Sequence, residues 1–473
     1  MAAISVETKA PGRQIPQNFV GFSLEVSTAG QGLARFTEGG NAPRAAYALG
    51  SPGAPNQAFL QLMRNLGPGI LRLGGNSQDN TCWKPAAAPH PDRCQGKLTS
   101  ADFHLYSEAA KATGWRLIVG LNLKQNSSQW ALSEVTQGIA RELTPEQVLG
   151  LEPGNEPDLF GEPERPKPYS PADLVKDFRA YSDMFKSNAT AREYPVIGPA
   201  ICCRWRNAQD LGAFLDGVGA STLKLATVHE YARTVCDGRR VSVEELLAPE
   251  LMTHFNDAAR SWVAAAQQHH LPIALAETNS ASCGGMPGVS NAFASTLWGL
   301  DWLFSAAEDG FTGVNFHISY RPGGSSYNPI DTYAAPGRSR NYKNVVEPLY
   351  YAMYLFAHSA SGNHLLPANA HTSANIRAYA TSACPNCAVN VVVLNKDSSA
   401  SGTVRVHLDR LADVGKLLLL KAPSLDSLSP QVTYGGVRLD SDGHIAPPHT
   451  SEVRPDSHGD YEFTLPRAAA GLL

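Results

Sequence analysis

Charge is scarce in this sequence. Asp, Glu, Lys and Arg make up 17% of 473 residues, and 43 acidic against 39 basic side chains leave a formal net charge of −4. There is no run of Lys or Arg, which argues against nucleic acid as a partner and against a basic groove for a long polyanion. So little charge beside 43% apolar residues excludes a chain that stays disordered. No apolar run approaches the roughly 20 residues needed to span a bilayer. Also missing are a Gly-rich phosphate loop, a Gly-x-Ser-x-Gly elbow and any Asp/His cluster at metal spacing. The sequence therefore implies no cofactor, no metal, no nucleic-acid partner and no membrane span. Met1-Ala2-Ala3 leads straight into folded-looking sequence with no basic n-region or apolar h-region. The expectation is that any secretion signal has already been removed.

Cysteines number eight, too few for a disulfide-built scaffold. Cys82 and Cys94 bracket a short Pro-rich loop, and Cys384-Pro385-Asn386-Cys387 brackets a tight turn. Cys202, Cys203 and Cys236 lie in two segments expected to end near each other, while Cys283 stands alone. Zinc would need a second Cys pair or a His tandem beside the single Cys-x-x-Cys. Disulfides of open connectivity are the expectation, and they suit a secreted or periplasmic setting.

What is present is an alternation of apolar strands and amphipathic helices. Strands are expected at 18–24, 70–74, 116–121, 148–152, 194–198, 223–228, 273–276 and 313–318. Helical spacings of three and four follow, as at 56–66, 171–187 and 289–307. Ser170, Pro171 and Asp173 form a clear helix start. Eight such units predict a (β/α)8 TIM barrel over 18–357. A doubly wound sheet is the alternative, but Gly21-Phe22-Ser23-Leu24-Glu25 is not its phosphate loop. Beyond 358 the pattern shortens to β-branched segments at 374–382, 387–395, 402–408, 414–421, 431–439 and 459–465. These read as an all-β sandwich domain, formed by 358–473 together with 1–17, whose strand at 4–8 precedes the barrel.

A TIM barrel keeps its chemistry at the C-terminal ends of its strands. Residues expected there are Glu25, Arg72, Asn76, Asn122, Asn155, Glu156, His229, Glu230, Tyr231, Glu277, Asn279, His317 and Tyr320. Two glutamates stand out: Glu156 after the fourth strand, in Gly154-Asn155-Glu156-Pro157, and Glu277 after the seventh. Paired carboxyls across a cleft are what hydrolysis of a glycosidic bond requires, one protonated to assist the leaving oxygen and one ionised to attack. Each also has a plain structural reading. Glu156 resembles an ordinary solvated turn carboxylate, and Glu277 a rim carboxylate paired with Arg72, which would also keep a nucleophile ionised.

Taken jointly, these segments resemble the clan-A retaining glycosidases and, in detail, glycoside hydrolase family 79, the β-glucuronidase and heparanase group. Further pieces carry the likeness: Leu71-Arg72-Leu73-Gly74-Gly75-Asn76, Val228-His229-Glu230-Tyr231, Glu277-Thr278-Asn279-Ser280-Ala281-Ser282-Cys283-Gly284-Gly285 and Tyr327-Asn328-Pro329-Ile330. The resemblance implies Glu156 as general acid/base and Glu277 as nucleophile, with Asn155 on the sugar 2-hydroxyl. It implies Tyr231 holding Glu277, and Glu25 and Asn76 on sugar hydroxyls. Backbone amides around Cys283, Gly284 and Gly285, with Tyr327, would take a uronate carboxylate, while Arg72 and His229 support the pair. Ser282-Cys283 departs from the family, where an aromatic followed by Gly is commoner.

The expected substrate is a glucuronide-bearing saccharide or glycoconjugate, cleaved with retention. Alternatives are an endo-acting heparanase-like enzyme, a clan-A enzyme for neutral sugars, and a non-catalytic carbohydrate-binding protein. Trp83 and Trp205 are candidate sugar platforms, Trp298 falls on a helix's apolar face, and His269-His270 close a helix.

Overall fold

The computed structural model describes residues 2–29, 55–84, 94, 96–161, 165, 169–320, 324–334, 342–410 and 413–473. The Pro-rich loop between Cys82 and Cys94 lies almost wholly outside them. Eight parallel strands close into a barrel in sequence order. They are β1 (Val20–Glu25), β2 (Ile70–Gly74), β3 (Arg116–Leu121), β4 (Val148–Pro153), β5 (Val196–Ile201), β6 (Leu223–Tyr231), β7 (Ile273–Asn279) and β8 (Val314–Ile318). Their near-continuous burial is that of a parallel sheet covered on both faces. Among the described residues no helix is long and apolar enough to cross a membrane.

Two layers fill the barrel. Ile70, Ile118, Ile197, Leu225 and Ala274, with Leu149 against them, form an apolar cluster separate from the main core. Side chains two residues on along a strand face the same way. Ile70 is thus followed inside the barrel by Arg72, and Leu225 by Thr227, both fully buried. The interior is apolar at its base and polar higher up, which sets the catalytic end apart.

The helices begin where local chemistry starts them. Ser170 and Asp173 form a reciprocal capping box with Pro171 at the first position, giving Pro171–Ser187 as expected. The expected helix at 289–307 begins later, as Phe293–Asp309. Before it, the Ser290 hydroxyl accepts from the Met286 amide at 2.9 Å and holds a turn. Two strands run longer than their apolar stretches suggested. β6 continues to Tyr231 and β7 to Asn279 because they pair with each other through Thr278–Glu230 and Asn279–Tyr231. Glu277 therefore sits inside a strand, not after it.

The last part of the chain forms two further sheets over a shared apolar core. The N-terminal strand Ala2–Val6 joins one of them, parallel to Gly402–Leu408 and antiparallel to Ala368–His371. The expected strand at 431–439 shrinks to Thr433–Tyr434, because Gly435 and Gly436 at φ 54° and 78° turn the chain away. A buried ion pair ties sandwich to barrel: Lys396 Nζ lies 2.5 Å from Asp301 on the helix Phe293–Asp309, and the Tyr379 hydroxyl donates to the same carboxylate.

Candidate active site

The turn after β4 is held on three sides. The Gly154 amide donates to Leu121 O at 2.9 Å, the Asn155 amide to Asp79 Oδ2 at 2.8 Å, and the Glu156 amide to Ala200 O at 2.9 Å. Gly154 lies at φ 85°, where a Cβ would meet Leu123 Cδ2 at 2.9 Å. Glu156 itself adopts φ 49°, ψ 51°. A left-handed glutamate is uncommon and persists only where its surroundings over-determine it, as they do at functional sites.

Glu277 is fixed by both of its oxygens. Oε2 lies 2.7 Å from Arg72 Nη1, and Oε1 accepts from the Tyr231 hydroxyl at 2.8 Å. His317 Nδ1 stands 3.5 Å from Oε2. Arg72, fully buried, also reaches Glu152 Oε2 at 2.6 Å and Asn155 Oδ1 at 2.9 Å. Glu152 accepts in turn from the Thr227 hydroxyl at 2.7 Å. One guanidinium thus joins β2, β4 and β7 inside the barrel. Removing one partner of a buried pair leaves an uncompensated charge, so Arg72→Met is expected to lower stability by about 3–5 kcal/mol. The urea midpoint reads this directly, and a loss below about 1 kcal/mol would show that the two glutamates do not depend on Arg72.

The two carboxyls meet. An oxygen of Glu156, a ring nitrogen of His229 and an oxygen of Glu277 all lie within 4.8 Å of one another. Their surroundings push them in opposite directions. Burial, and then the charge of Glu277, raise Glu156 to about 8. Burial opposes ionisation of Glu277 too, but His317, Arg72 and the Tyr231 hydroxyl outweigh it and hold that carboxyl at about 2. His229 is lowered to about 4, first by burial and then by Arg72. It is neutral at pH 7, so its 3.1 Å contact with Glu156 Oε1 is a hydrogen bond rather than an ion pair. His317 titrates above its ordinary value, because Glu277 and Glu25 outweigh its burial.

A cavity of about 730 Å³ opens over the pair. Glu25, Asn76, Tyr231, Ser282, Cys283, His317 and Tyr327 line it, as do Cys202 and Cys203. Glu25 accepts from the Ser77 amide and lies 3.2 Å from His317 Nε2. Asn155 lines an adjoining cavity of about 390 Å³ instead, together with Asn76, Glu156, Leu159 and Arg204. Gly284 and Gly285 do not line the larger cavity, but they follow Cys283 in three successive left-handed residues at φ 59°, 97° and 80°. A Cβ on Gly285 would lie 2.8 Å from Ser290 Cβ.

As metal ligands, Glu156, His229 and Glu277 are close enough, yet both Glu277 oxygens already take donors from Arg72 and Tyr231. Cys202 and Cys203 beside Glu156 are bonded to each other and offer no thiolate.

Several expectations are corrected here. Cys283 does not stand alone: it pairs with Cys236, while Cys202 pairs with its neighbour Cys203. Bonds Cys82–Cys94 and Cys384–Cys387 complete the set. Trp83 is buried against Phe103 and Trp205 is stacked on Tyr169, so neither forms a sugar platform in the cavity. Net charge gave no sign of Arg206, Arg233 and Arg239, which all line the cavity. Glu152, at the end of an apolar stretch, and Asp79, in a polar turn, carry no sequence signal of the cation and the amides they serve.

No protein-family model matches the chain. A beta-glucuronidase of Neurospora crassa is 26% identical over 370 residues, covering 70% of this chain and 62% of that protein. A heparanase of Gallus gallus is 26% identical over 246 residues, covering 50% of this chain and 45% of its own length. The chain thus spans less than two thirds of either relative. By fold it matches the solved structure of a 4-O-α-L-rhamnosyl-β-D-glucuronidase from Fusarium oxysporum, with a TM-score of 0.79 at 16% identity over 99% of both chains. The resemblance carried by the motifs is borne out to this extent: the chain is similar to curated proteins named beta-glucuronidase and heparanase.

Proposed function

We propose that this protein is a retaining β-glucuronidase acting on a glucuronide-bearing saccharide or glycoconjugate. One observation carries the reading: two carboxyls lie within 4.8 Å in one cavity, with environments that keep Glu156 protonated and Glu277 ionised. That spacing fits the roughly 5–5.5 Å of retaining enzymes better than the roughly 6.5–9.5 Å of inverting ones. Glu277 attacks the anomeric carbon while Glu156 protonates the glycosidic oxygen. Water, deprotonated by Glu156, then releases the sugar with its configuration kept. Asn155 serves the 2-hydroxyl, and Glu25 and Asn76 bind other hydroxyls. The left-handed turn Cys283-Gly284-Gly285 and Tyr327 take the uronate carboxylate, since successive amides in such a turn form an anion nest.

The catalytic unit comprises 18–357 and the sandwich 1–17 with 358–473. A secreted or periplasmic location suits four disulfides among the described residues. Aryl glucuronide, glucoside and xyloside, with the product anomer followed by NMR, test the reading. Glucuronide alone should be cleaved, giving the β-anomer first. Cleavage of the glucoside at an equal rate, or α-anomer as first product, would refute it. An endo-acting enzyme for longer acidic chains is the second reading, favoured by Arg206, Arg233 and Arg239 around the cavity.

Tyr231→Phe removes a donor that lowers the Glu277 carboxyl. A hydrogen bond to a charged group contributes about 1.5–3 kcal/mol, so kcat/KM should fall at least about tenfold. The acidic limb of the pH profile should move up, because Glu277 must be ionised to attack. A limb that stays in place would remove Tyr231 from this role.

A further inference from the structure

Cys202 and Cys203 are consecutive residues bonded to each other just beyond β5. Asp158, buried two residues after Glu156, accepts from three amides in succession: Cys202 at 3.0 Å, Cys203 at 2.8 Å and Arg204 at 2.8 Å. One carboxylate therefore ties the turn carrying Glu156 to the turn carrying the disulfide. Both sulfurs lie within 4.8 Å of a Glu156 oxygen and of each other. This set and the set of Glu156, His229 and Glu277 share Glu156 alone.

A second observation marks the same place. Leu159 is 45% exposed, one of three large apolar side chains so exposed among the described residues. Its amide donates to Glu156 O at 2.9 Å, and its side chain lines both cavities. Cys202 and Cys203 line the first cavity and Arg204 the second, so the disulfide stands where the two adjoin.

We propose that the Cys202–Cys203 disulfide and Leu159 form the contact surface for the leaving group, and that they select a leaving group with an apolar ring face, aryl or pyranose. The inference rests on the glycosidase reading above. Glu156 delivers its proton to the bridging oxygen, so the groups against its carboxyl away from Glu277 meet whatever departs. A disulfide has no donor, and its sulfurs are soft and polarisable, suited to C–H and aromatic faces rather than to hydroxyls. Locking adjacent residues together also fixes that surface without relying on side-chain rotamers.

The test compares p-nitrophenyl β-glucuronide with β-glucuronyl fluoride, whose leaving group has no ring to contact. In Leu159→Asn and in the double variant C202S/C203S, kcat/KM for the aryl substrate should fall at least about tenfold more than for the fluoride. The loss should appear mainly in KM. Leu159→Asn keeps the test alive if the double variant does not fold, because that side chain is already in solvent. Equal losses on the two substrates, or none on either, would overturn the proposal. If the unaltered protein cannot hydrolyse the fluoride at all, the glycosidase reading itself fails and this inference falls with it.

Discussion

Glu277→Ala is expected to lower kcat on any glucuronide by roughly five orders of magnitude, the scale of deleting a covalent nucleophile. The side chain has no substitute within the site, for Glu152 is wholly engaged with Arg72 and Thr227. Folding should survive, because Arg72 keeps Glu152 as its partner, and a circular dichroism melt checks this. Azide added to the variant should restore part of the rate by entering the space the carboxylate vacated. It then attacks opposite the leaving group and yields the α-glucuronyl azide from a β-glucuronide. Glu156 should also titrate lower, since the charge of Glu277 is one of the two largest influences that raise it. Residual activity above about one per cent would mean that attack comes from elsewhere, and a β-azide product would mean that Glu277 is not the nucleophile.

How much of this was legible in the sequence depended on what each residue's signal reports. The barrel strands announced themselves because a strand covered on both faces needs an apolar run, and residues 148–151 supply one. Ala469–Leu472 escaped for the opposite reason. It carries no β-branched residue, yet it pairs between Val389–Asn395 and Gly415–Lys421, where Ala469, Ala470 and Gly471 fit beside larger neighbours. Glu156 and Glu277 could be located because strand ends are where a barrel holds its chemistry, though only pairing with β6 showed that β7 runs on past Glu277. The network beneath them was hidden. Arg72 could be matched with Glu277 by guess, but its contact with Glu152 arises from the closure of the sheet. The cysteines mislead for a similar reason: Cys236 and Cys283 are brought together by loops beyond neighbouring strands, a closeness that spacing in the chain does not encode. Net charge failed most plainly, because a sum of −4 says nothing of three arginines gathered at one cavity.

Glu156→Gln should separate the two halves of the reaction. With an alkyl glucuronide, whose leaving oxygen needs a proton, kcat/KM should fall by about 10²–10⁴. With a 2,4-dinitrophenyl glucuronide the first step scarcely needs an acid, so the loss should fall on the second step, where Glu156 would activate water. The glycosyl–enzyme intermediate should then accumulate and give a burst of dinitrophenol. The pH profile follows from the same proton. Glu156 assists only while protonated, so the native rate should decline as pH rises through about 8, and it should decline at the acid end as Glu277 nears protonation at about 2. Glutamine has no proton to lose, so the alkaline limb should vanish in the variant while the acid limb stays. Azide here attacks the intermediate from the face that water uses and yields the β-glucuronyl azide, the opposite anomer to that from Glu277→Ala. If the alkaline limb persists unchanged in Glu156→Gln, or both variants give the same azide anomer, the assignment of acid to Glu156 and nucleophile to Glu277 is wrong.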